Sequence, residues 1–193
     1  MDIVLASNNK HKLREVREIL KGCNIFSLED IGFYSEIEEN GKTIEENALI
    51  KVRAVRPYTD KVIIADDTGL FVEVLKGAPG VYSARYAGDD ATFADNNKKL
   101  LTALEKQSNR KATFRSAIAM QMPDGEEKIF LGEIKGSIAF ACAGEHGFGY
   151  DPIFYVDESK KTYAQMSEEE KNQYSHRALA LLQLKKYLAG QQQ

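Results

Sequence analysis

Two short apolar runs, each followed by polar residues, constrain the fold of this chain more than any other feature. Residues 3–6 (IVLA) and 62–65 (VIIA) are continuously apolar, without the alternation of a strand that has one face in water. Such runs are typical of strands that are covered on both faces, as parallel strands between layers of helices are. The chain is therefore expected to be an α/β protein with a mixed sheet and helices packed around it.

Helical periodicity and an alternating segment complete this picture. Residues 113–122 alternate between apolar and polar, and a Pro-Asp-Gly turn joins them to residues 127–134, which predicts a hairpin. No repeat or linker divides the chain, so residues 1–193 are expected to form a single domain. Helices are expected to begin near Asn9, Thr43, Phe93 and Ser167 and to end near Gly22, Pro57, Leu104 and Tyr187, with capping boxes at Thr43 and Ser167.

Composition excludes several classes of protein. The formal net charge of −3 argues against a nucleic-acid-binding or membrane-binding surface, so an anionic ligand would need a local cluster of positive groups. The spacing of Cys23 and Cys142 fits no metal knuckle or redox pair. No apolar segment is long enough for a signal peptide or a membrane span. We expect a cytoplasmic protein that binds neither nucleic acid nor membrane.

The polar segment after the first apolar run is the first candidate for binding chemistry. The first N–H groups of the following helix, together with nearby lysines, would stabilise the oxygens of a phosphate group. The alternative is a capped surface helix with solvated lysines. The segment consists of Ser7, Asn8, Asn9, Lys10, His11 and Lys12.

Two adjacent carboxylates, Asp66 and Asp67, follow the second apolar run directly. Burying both at the end of a strand costs free energy unless a positive charge compensates them. Mg²⁺ prefers carboxylate oxygens, water and phosphates as ligands, and ligands of α/β proteins bind at the carboxyl ends of strands. A magnesium site is the favoured interpretation, and a solvated turn is the alternative.

Three further segments carry polar side chains whose role the sequence leaves open. Glutamates between residues 36 and 46 could supply one more metal ligand, although most acidic runs are solvated surfaces. Residues 148–152 (FGYDP) could offer a stacking face to a planar base, or form an ordinary turn. Lys171, Ser175 and His176 are expected on neighbouring turns of the last helix, where they could face one ligand.

Two known motifs are excluded. Gly41-Lys42-Thr43 resembles the end of a P-loop, but Glu36 stands where the first glycine of that motif is required. Asp66 and Asp67 lack the one-residue gap of the aspartyl-phosphate phosphatases, which argues against a covalent aspartyl intermediate.

Taken together, these segments resemble the inosine triphosphate pyrophosphatase family, also called dITP/XTP pyrophosphatases. Each stretch alone would be weak, but six of them match in family order and span nearly the entire chain. They are residues 6–12, residues 43–48 with Lys51, residues 65–70, residues 77–86, residues 148–152, and residues 170–171 with 175–177.

The resemblance implies a specific activity. Members of this family use Mg²⁺ to cleave a nucleoside triphosphate between the α- and β-phosphates, which releases a nucleoside monophosphate and pyrophosphate. They prefer the deaminated purine nucleotides ITP, dITP and XTP, and so cleanse the nucleotide pool. The family also implies a homodimer and an elongated fold of two lobes around a long sheet.

The resemblance also implies roles for individual residues. Glu38 and Asp67 would bind Mg²⁺, Asp67 would be the base for the attacking water, and a slip of one residue would make Glu39 the second ligand. Many members have glycine where this chain has Asn8, and asparagine is the best substitute at a left-handed position. Residues 7–12, Lys51 and Thr68 would hold the triphosphate. The base pocket would be lined by Phe148, Gly149, Tyr150 and Asp151. The base and the phosphates would be contacted by Lys171, His176 and Arg177. Either Arg177 or His176 could donate a hydrogen bond to the 6-keto oxygen of the base.

Three rival functions are less consistent with the sequence. One is a pyrophosphatase for modified pyrimidine nucleotides, which a substrate panel would distinguish. Another is a nucleotide sensor without turnover, although the two adjacent aspartates and Lys12 argue against it. The last is a nucleic-acid-binding module, which the acidic balance disfavours.

Overall fold

The computed structural model describes residues 1–190, and it divides the chain into two compact units. The first unit comprises Met1–Asp67, Ser116–Gly132 and the described residues from Arg177 onward. The second comprises Thr68–Arg115 and Glu133–His176. No helix within residues 1–190 is both long and apolar enough to cross a membrane.

Strands of both directions form the sheet, which confirms the predicted α/β class with a mixed sheet. Among the described residues they are β1 (Asp2–Leu5), β2 (Asn24–Phe26), β3 (Val62–Val72), β4 (Pro79–Gly80), β5 (Lys111–Gln121), β6 (Glu127–Ile138), β7 (Phe154–Val156) and β8 (Lys161–Thr162). Their order is β2-β1-β3-β5-β6-β7-β8, with β4 paired to β3. β1 is parallel to β2 and β3, with Val4 opposite Phe26 and Ile63, whereas β6 and β7 are antiparallel.

The helices begin close to the predicted positions. Among the described residues they are α1 (Lys10–Ile19), α2 (Ile44–Val55), α3 (Phe93–Ala103), α4 (Glu168–Tyr174) and α5 (His176–Gly190). Thr43 caps α2 by accepting a hydrogen bond from the backbone N–H of Glu46. In a capping box, the Glu46 carboxylate would in turn accept from the N–H of Thr43. Here it accepts from the N–H of Lys42 instead, at 2.6 Å.

The prediction of one continuous last helix is wrong. Ser175 has φ −76° and ψ 142°, which is an extended conformation, and it separates α4 from α5. Because the helical repeat is interrupted there, Lys171 and His176 do not share a helical face. The predicted placement of these two side chains on neighbouring turns of one helix is therefore wrong, although both lie near the Tyr163 ring.

Strand β3 is longer than predicted. The apolar run at residues 62–65 does not end at Asp66, because the strand continues through Asp66, Asp67 and Thr68 to Val72. Both aspartates are consequently buried within the strand, rather than in a solvated turn after it.

Each unit has its own hydrophobic core. In the first, β1 and β3 pack with α1 and α5 through buried residues that include Leu5, Val16, Ile64 and Leu181. In the second, α3 packs with the later strands through residues that include Leu100, Phe114, Phe154 and Tyr163. Both aspartates lie at the end of the first unit's stretch of β3, directly after the strand residues that pack in this core.

Candidate active site

Asp66 is the most enclosed carboxylate in the first unit, with a side chain that is 0% exposed. Lys12 Nζ and Arg177 Nη2 lie 2.9 and 3.0 Å from its Oδ2, and the hydroxyl of Ser116 donates to its Oδ1. Burial alone would raise the pKa of this carboxyl, but Arg177 and Lys12 outweigh it and hold the pKa well below its usual range. Asp66 is therefore ionised, and protein cations rather than a metal ion compensate it.

Arg177 and Glu15 extend this cluster. The Arg177 guanidinium donates from Nε to Asp66 Oδ2 at 3.0 Å and from Nη1 to Glu15 Oε2 at 2.5 Å. Although burial opposes the charged form, the two carboxylates raise the pKa of Arg177 above its ordinary value. The first residues of α5 are thereby tied to α1 and β3 through charges.

Asp67 is held differently from its neighbour. Lys51 Nζ lies 2.9 Å from its Oδ1 and also donates to the Asp66 carbonyl at 3.0 Å. Asn47 Nδ2 approaches its Oδ2 at 3.4 Å. Burial dominates here and raises the pKa of Asp67 to about 6, in spite of the nearby lysines. A carboxyl with such a pKa is suited to accept and release a proton near neutral pH.

Glu39 rather than Glu38 comes close to Asp67. Glu39 Oε2 forms an ion pair with Lys51 Nζ at 3.3 Å, so that one ammonium group contacts both carboxylates, whereas Glu38 is exposed. Within residues 1–190, no three His, Cys, Asp or Glu side chains are grouped so as to hold a metal ion by themselves. The pair Asp67 and Glu39 nevertheless fits Mg²⁺, which is commonly bound by one or two carboxylates together with water and substrate phosphates.

The predicted phosphate-binding segment surrounds the N-terminus of α1. Asn9 caps the helix, and its Oδ1 accepts from the N–H groups of His11 and Lys12. Lys10 and His11 are exposed, whereas Lys12 turns inward to Asp66, and burial lowers the pKa of its ammonium group.

Asn8 does not have the left-handed backbone that its match to glycine suggested. Among the described residues other than glycine, positive φ occurs at Lys76 and Lys160. The turn after β1 is built without a left-handed residue at Asn8, so an asparagine there carries no strain. The exposed Asn8 follows Ser7, whose hydroxyl accepts from the N–H of Asn9 at 3.2 Å.

In the second unit, the predicted base-pocket residues form a loop that is centred on Asp151. Its Oδ2 accepts from Lys171 Nζ at 2.7 Å and from the N–H of Phe148 at 2.8 Å. Gly147 must be glycine, because a Cβ there would lie 2.0 Å from this oxygen. Lys171 Nζ also lies 5.0 Å from the centre of the Phe148 ring. We refer to residues 147–151 as the 147–151 loop.

Three more predicted residues of the second unit are His176 at the start of α5, Thr68 on β3 and Tyr150 in the 147–151 loop. The His176 ring stacks on Phe114 at 4.4 Å between centroids and 4° between planes. Thr68 is a half-buried residue of β3, directly after Asp67. Tyr150 is buried, and its hydroxyl donates to the Ser83 carbonyl at 2.8 Å.

The sequence analysis missed several residues of these clusters. Glu15 lies three residues after Lys12, next to Val16 on the face of α1 that turns inward, and Asn47 lies beside Ala48 on the buried face of α2. A charged or amide side chain on the apolar face of a helix was the signal that could have identified both. Ser116 gives no comparable signal, because a serine fits a half-buried strand without any special role.

Comparisons with known proteins identify the family. Residues 3–187 match the model of the Ham1 family. A dITP/XTP pyrophosphatase of Thermoanaerobacter pseudethanolicus is 50% identical over 97% of this chain and 96% of its own length. One of Bacillus subtilis is 46% identical over 97% and 96%.

Solved structures give the same result. The Ham1 protein of Staphylococcus aureus has a TM-score of 0.90 and 43% identity, covering 99% of this chain and 100% of its own. A nucleoside-triphosphatase / dITP/XTP pyrophosphatase of Mycobacterium abscessus has a TM-score of 0.73 and 43% identity, covering 95% and 98%. The predicted family resemblance is confirmed, and the chain belongs to the Ham1 family.

Proposed function

We propose that this protein hydrolyses the non-canonical purine nucleotides ITP, dITP and XTP to the nucleoside monophosphate and pyrophosphate. The observation that carries the proposal is the contrast between two adjacent buried carboxylates. Asp66 is fixed in its ionised form by Arg177 and Lys12, whereas the pKa of Asp67 is raised to about 6. Such a divergence is typical of sites in which one group supports the structure and the other exchanges a proton.

The first unit carries the groups suited to a triphosphate. The N–H groups at the start of α1 and the ammonium groups of Lys12 and Lys51 are positive, and all belong to elements that end near Asp66 and Asp67. Electrostatic stabilisation of the phosphate oxygens by such groups is the main source of catalysis in phosphoryl chemistry. We assign residues 7–12 and Lys51 of the first unit, and Thr68 at the start of the second, to triphosphate binding.

Asp67 and a glutamate of the acidic segment would hold the divalent metal ion, for which we propose Mg²⁺. We favour Glu39 over Glu38 as the second ligand, because Glu39 and Asp67 contact the same Lys51 ammonium. When bound, the ion supplies charge neutralisation on the phosphates and acidifies water. The Asp67 carboxylate takes the proton of the attacking water, and Lys51 orients that carboxylate through its 2.9 Å contact with Oδ1.

The second unit carries the groups that we assign to the base. The 147–151 loop presents the Phe148 ring beside the Lys171 ammonium, which favours stacking and polar contacts with a purine. A donor that faces the 6-keto oxygen would discriminate against adenine, whose amino group leaves it unpaired, by roughly 10- to 100-fold. His176 of this unit and Arg177, the first residue of α5 that belongs to the first unit, remain our candidates for that donor.

We further propose that the chain acts as one catalytic domain, as a homodimer, in the cytoplasm. A function that removes aberrant nucleotides belongs where the nucleotide pool is. Sedimentation of the purified protein tests the dimer.

The decisive experiment measures pyrophosphate and orthophosphate released from ITP, XTP, dUTP and ATP, with Mg²⁺ or with EDTA. We expect Mg²⁺-dependent pyrophosphate release from ITP and XTP, slow release from ATP, and a kcat for Asp67→Asn that is lower by roughly 10²- to 10⁴-fold. Orthophosphate as the sole product would place the cleavage at another bond and refute the mechanism. Tight ITP binding without turnover would support a nucleotide sensor instead.

A further inference from the structure

Helix α3 contacts the 147–151 loop through two residues one turn apart. Phe93 lies 6.0 Å from Phe148 between ring centroids, and Asn97 Nδ2 donates to the Gly149 carbonyl at 3.0 Å. Residues at positions i and i+4 share one face of a helix. One face of α3 therefore contacts two successive residues of the loop.

The Asn97 amide is oriented by this loop at a cost in free energy. The residue is only 5% exposed, and its Oδ1 has no hydrogen-bond partner among residues 1–190. Rotating the amide by half a turn would place Oδ1 against the Gly149 carbonyl oxygen, so the observed orientation is the one in which the donor is used. A leucine of similar size at position 97 would avoid the unsatisfied acceptor. The asparagine is therefore better explained by its bond to the Gly149 carbonyl than by a contribution to the stability of the fold.

The hydrogen bond from Asn97 holds Gly149, whose backbone conformation shapes the loop. This glycine has φ +62°, which is a left-handed conformation, and it lies between Phe148 and Tyr150. The Asp151 carboxylate and the Tyr150 hydroxyl fix the far end of the loop through Lys171 and Ser83. The Asp151 carboxylate also accepts from the Phe148 N–H, and the Gly149 carbonyl is the point at which α3 holds the middle of the loop, next to the Phe148 ring.

Asn96, the residue before Asn97, also uses its side chain to hold a segment outside α3. Asn96 accepts from the Ala87 N–H at 2.7 Å through Oδ1 and donates to the Ala84 carbonyl at 3.0 Å through Nδ2. Its amide is thus satisfied at both ends, which contrasts with Asn97. Both ends of the Asn96 amide therefore serve the structure of that segment, whereas Asn97 uses only its donor, on the 147–151 loop.

We propose that Asn97 is a specificity-determining positioning residue. It sets the position of the Phe148 ring relative to the bound base, and so the preference for a 6-keto purine over adenine. This inference rests on the proposed function and goes beyond it, because Asn97 lies on a helix outside the segments assigned to substrate. Asn97 acts through the Gly149 carbonyl and does not itself touch the substrate.

The test compares Asn97→Leu with wild type in steady-state hydrolysis of ITP and ATP and in thermal unfolding. Loss of one hydrogen bond to the loop should raise the KM for ITP and lower the ratio of kcat/KM for ITP over ATP by roughly tenfold. The kcat for ITP should stay within about threefold, and Tm should change little, because removal of the orphaned Oδ1 offsets the loss of the bond to the Gly149 carbonyl. Asn97→Asp, which cannot donate to the carbonyl, should show a larger loss of selectivity. Thr102→Ala, an exposed change on the same helix, should behave like wild type.

Two results would overturn the inference. One is an unchanged ITP-over-ATP ratio in Asn97→Leu, and the other is an equal loss for both nucleotides together with a lowered Tm, which would indicate a purely structural residue. Failure of the wild-type protein to release pyrophosphate from ITP would refute the proposed function itself, so the two failures are distinguishable.

Discussion

Asp66 and Asp67 are adjacent in β3, yet their surroundings shift their pKa values in opposite directions. Neighbouring residues of a strand point to opposite faces of the sheet, so each carboxylate meets different partners. Asp66 meets Arg177, Lys12 and Ser116, while Asp67 meets Lys51 and Asn47. The sequence indicates two costly carboxylates here, but not which cation reaches which, because the cations lie on α1, α2 and α5.

Replacing Asp66 should destabilise the protein strongly. Asp66→Asn leaves the buried Arg177 and Lys12 without one of their counter-charges, and the expected loss in the free energy of unfolding is about 3–5 kcal/mol. Urea denaturation measures it, with the exposed Asp90→Asn as a control that should change little. Equal stability of the two variants would show that the ion cluster is not essential for stability.

The choice between Glu38 and Glu39 has a direct test. If Glu39 is a metal ligand, Glu39→Gln should raise the Mg²⁺ concentration for half-maximal activity at least ~10-fold, while Glu38→Gln stays near wild type. The shift in Tm on adding Mg²⁺ gives an independent measurement and should be smaller in Glu39→Gln. The reverse pattern would identify Glu38 as the ligand.

At the scale of elements, local signals were sufficient for some boundaries and insufficient for others. The Thr43 cap and the start of α3 were predicted, because a cap depends on residues within one turn. The break at Ser175 and the continuation of β3 through two aspartates were not. Each is accompanied by distant partners that local sequence does not reveal: the Arg177 ion pairs follow the break, and cations from other elements compensate the aspartates inside the strand.

The cap of α2, the helix that carries Asn47 and Lys51, should contribute measurably to the free energy of unfolding. Thr43→Ala removes the acceptor for the Glu46 N–H and should lower the free energy of unfolding by about 1 kcal/mol. Thr43→Ser keeps the hydroxyl and should retain most of that stability in the same urea titration. A loss in Thr43→Ser as large as that in Thr43→Ala would mean that the threonine methyl group, not the cap, is what matters.

At the scale of the whole molecule, the two cores take residues from different stretches of β3, β5 and β6. The first also contains residues from β1, α1 and α5, and the second contains residues from α3, β7 and the loop before α4. Composition does not change where the chain passes from one unit to the other, so only the family resemblance, which implies two lobes, indicated a division within the predicted single domain.

Separate cores predict separate local stabilities. Leu100→Ala creates a cavity in the second core and should cost about 2–5 kcal/mol. Native-state hydrogen exchange should then accelerate in β7 and β8 more than in β1 and β2. Equal acceleration in all four strands would show that the protein opens as one cooperative unit, and Leu182→Ala, at an exposed position, should affect neither set.

The core of the first unit joins the beginning of the chain to its last helix. Ile3 and Leu5 pack in the same cluster as Leu181, Leu184 and Leu188 of α5. On a ribosome, the first strand emerges long before α5, and the apolar surface that α5 covers stays exposed until that helix has been made. Nascent chains that stall before α5 should consequently be ready substrates for chaperones and proteases.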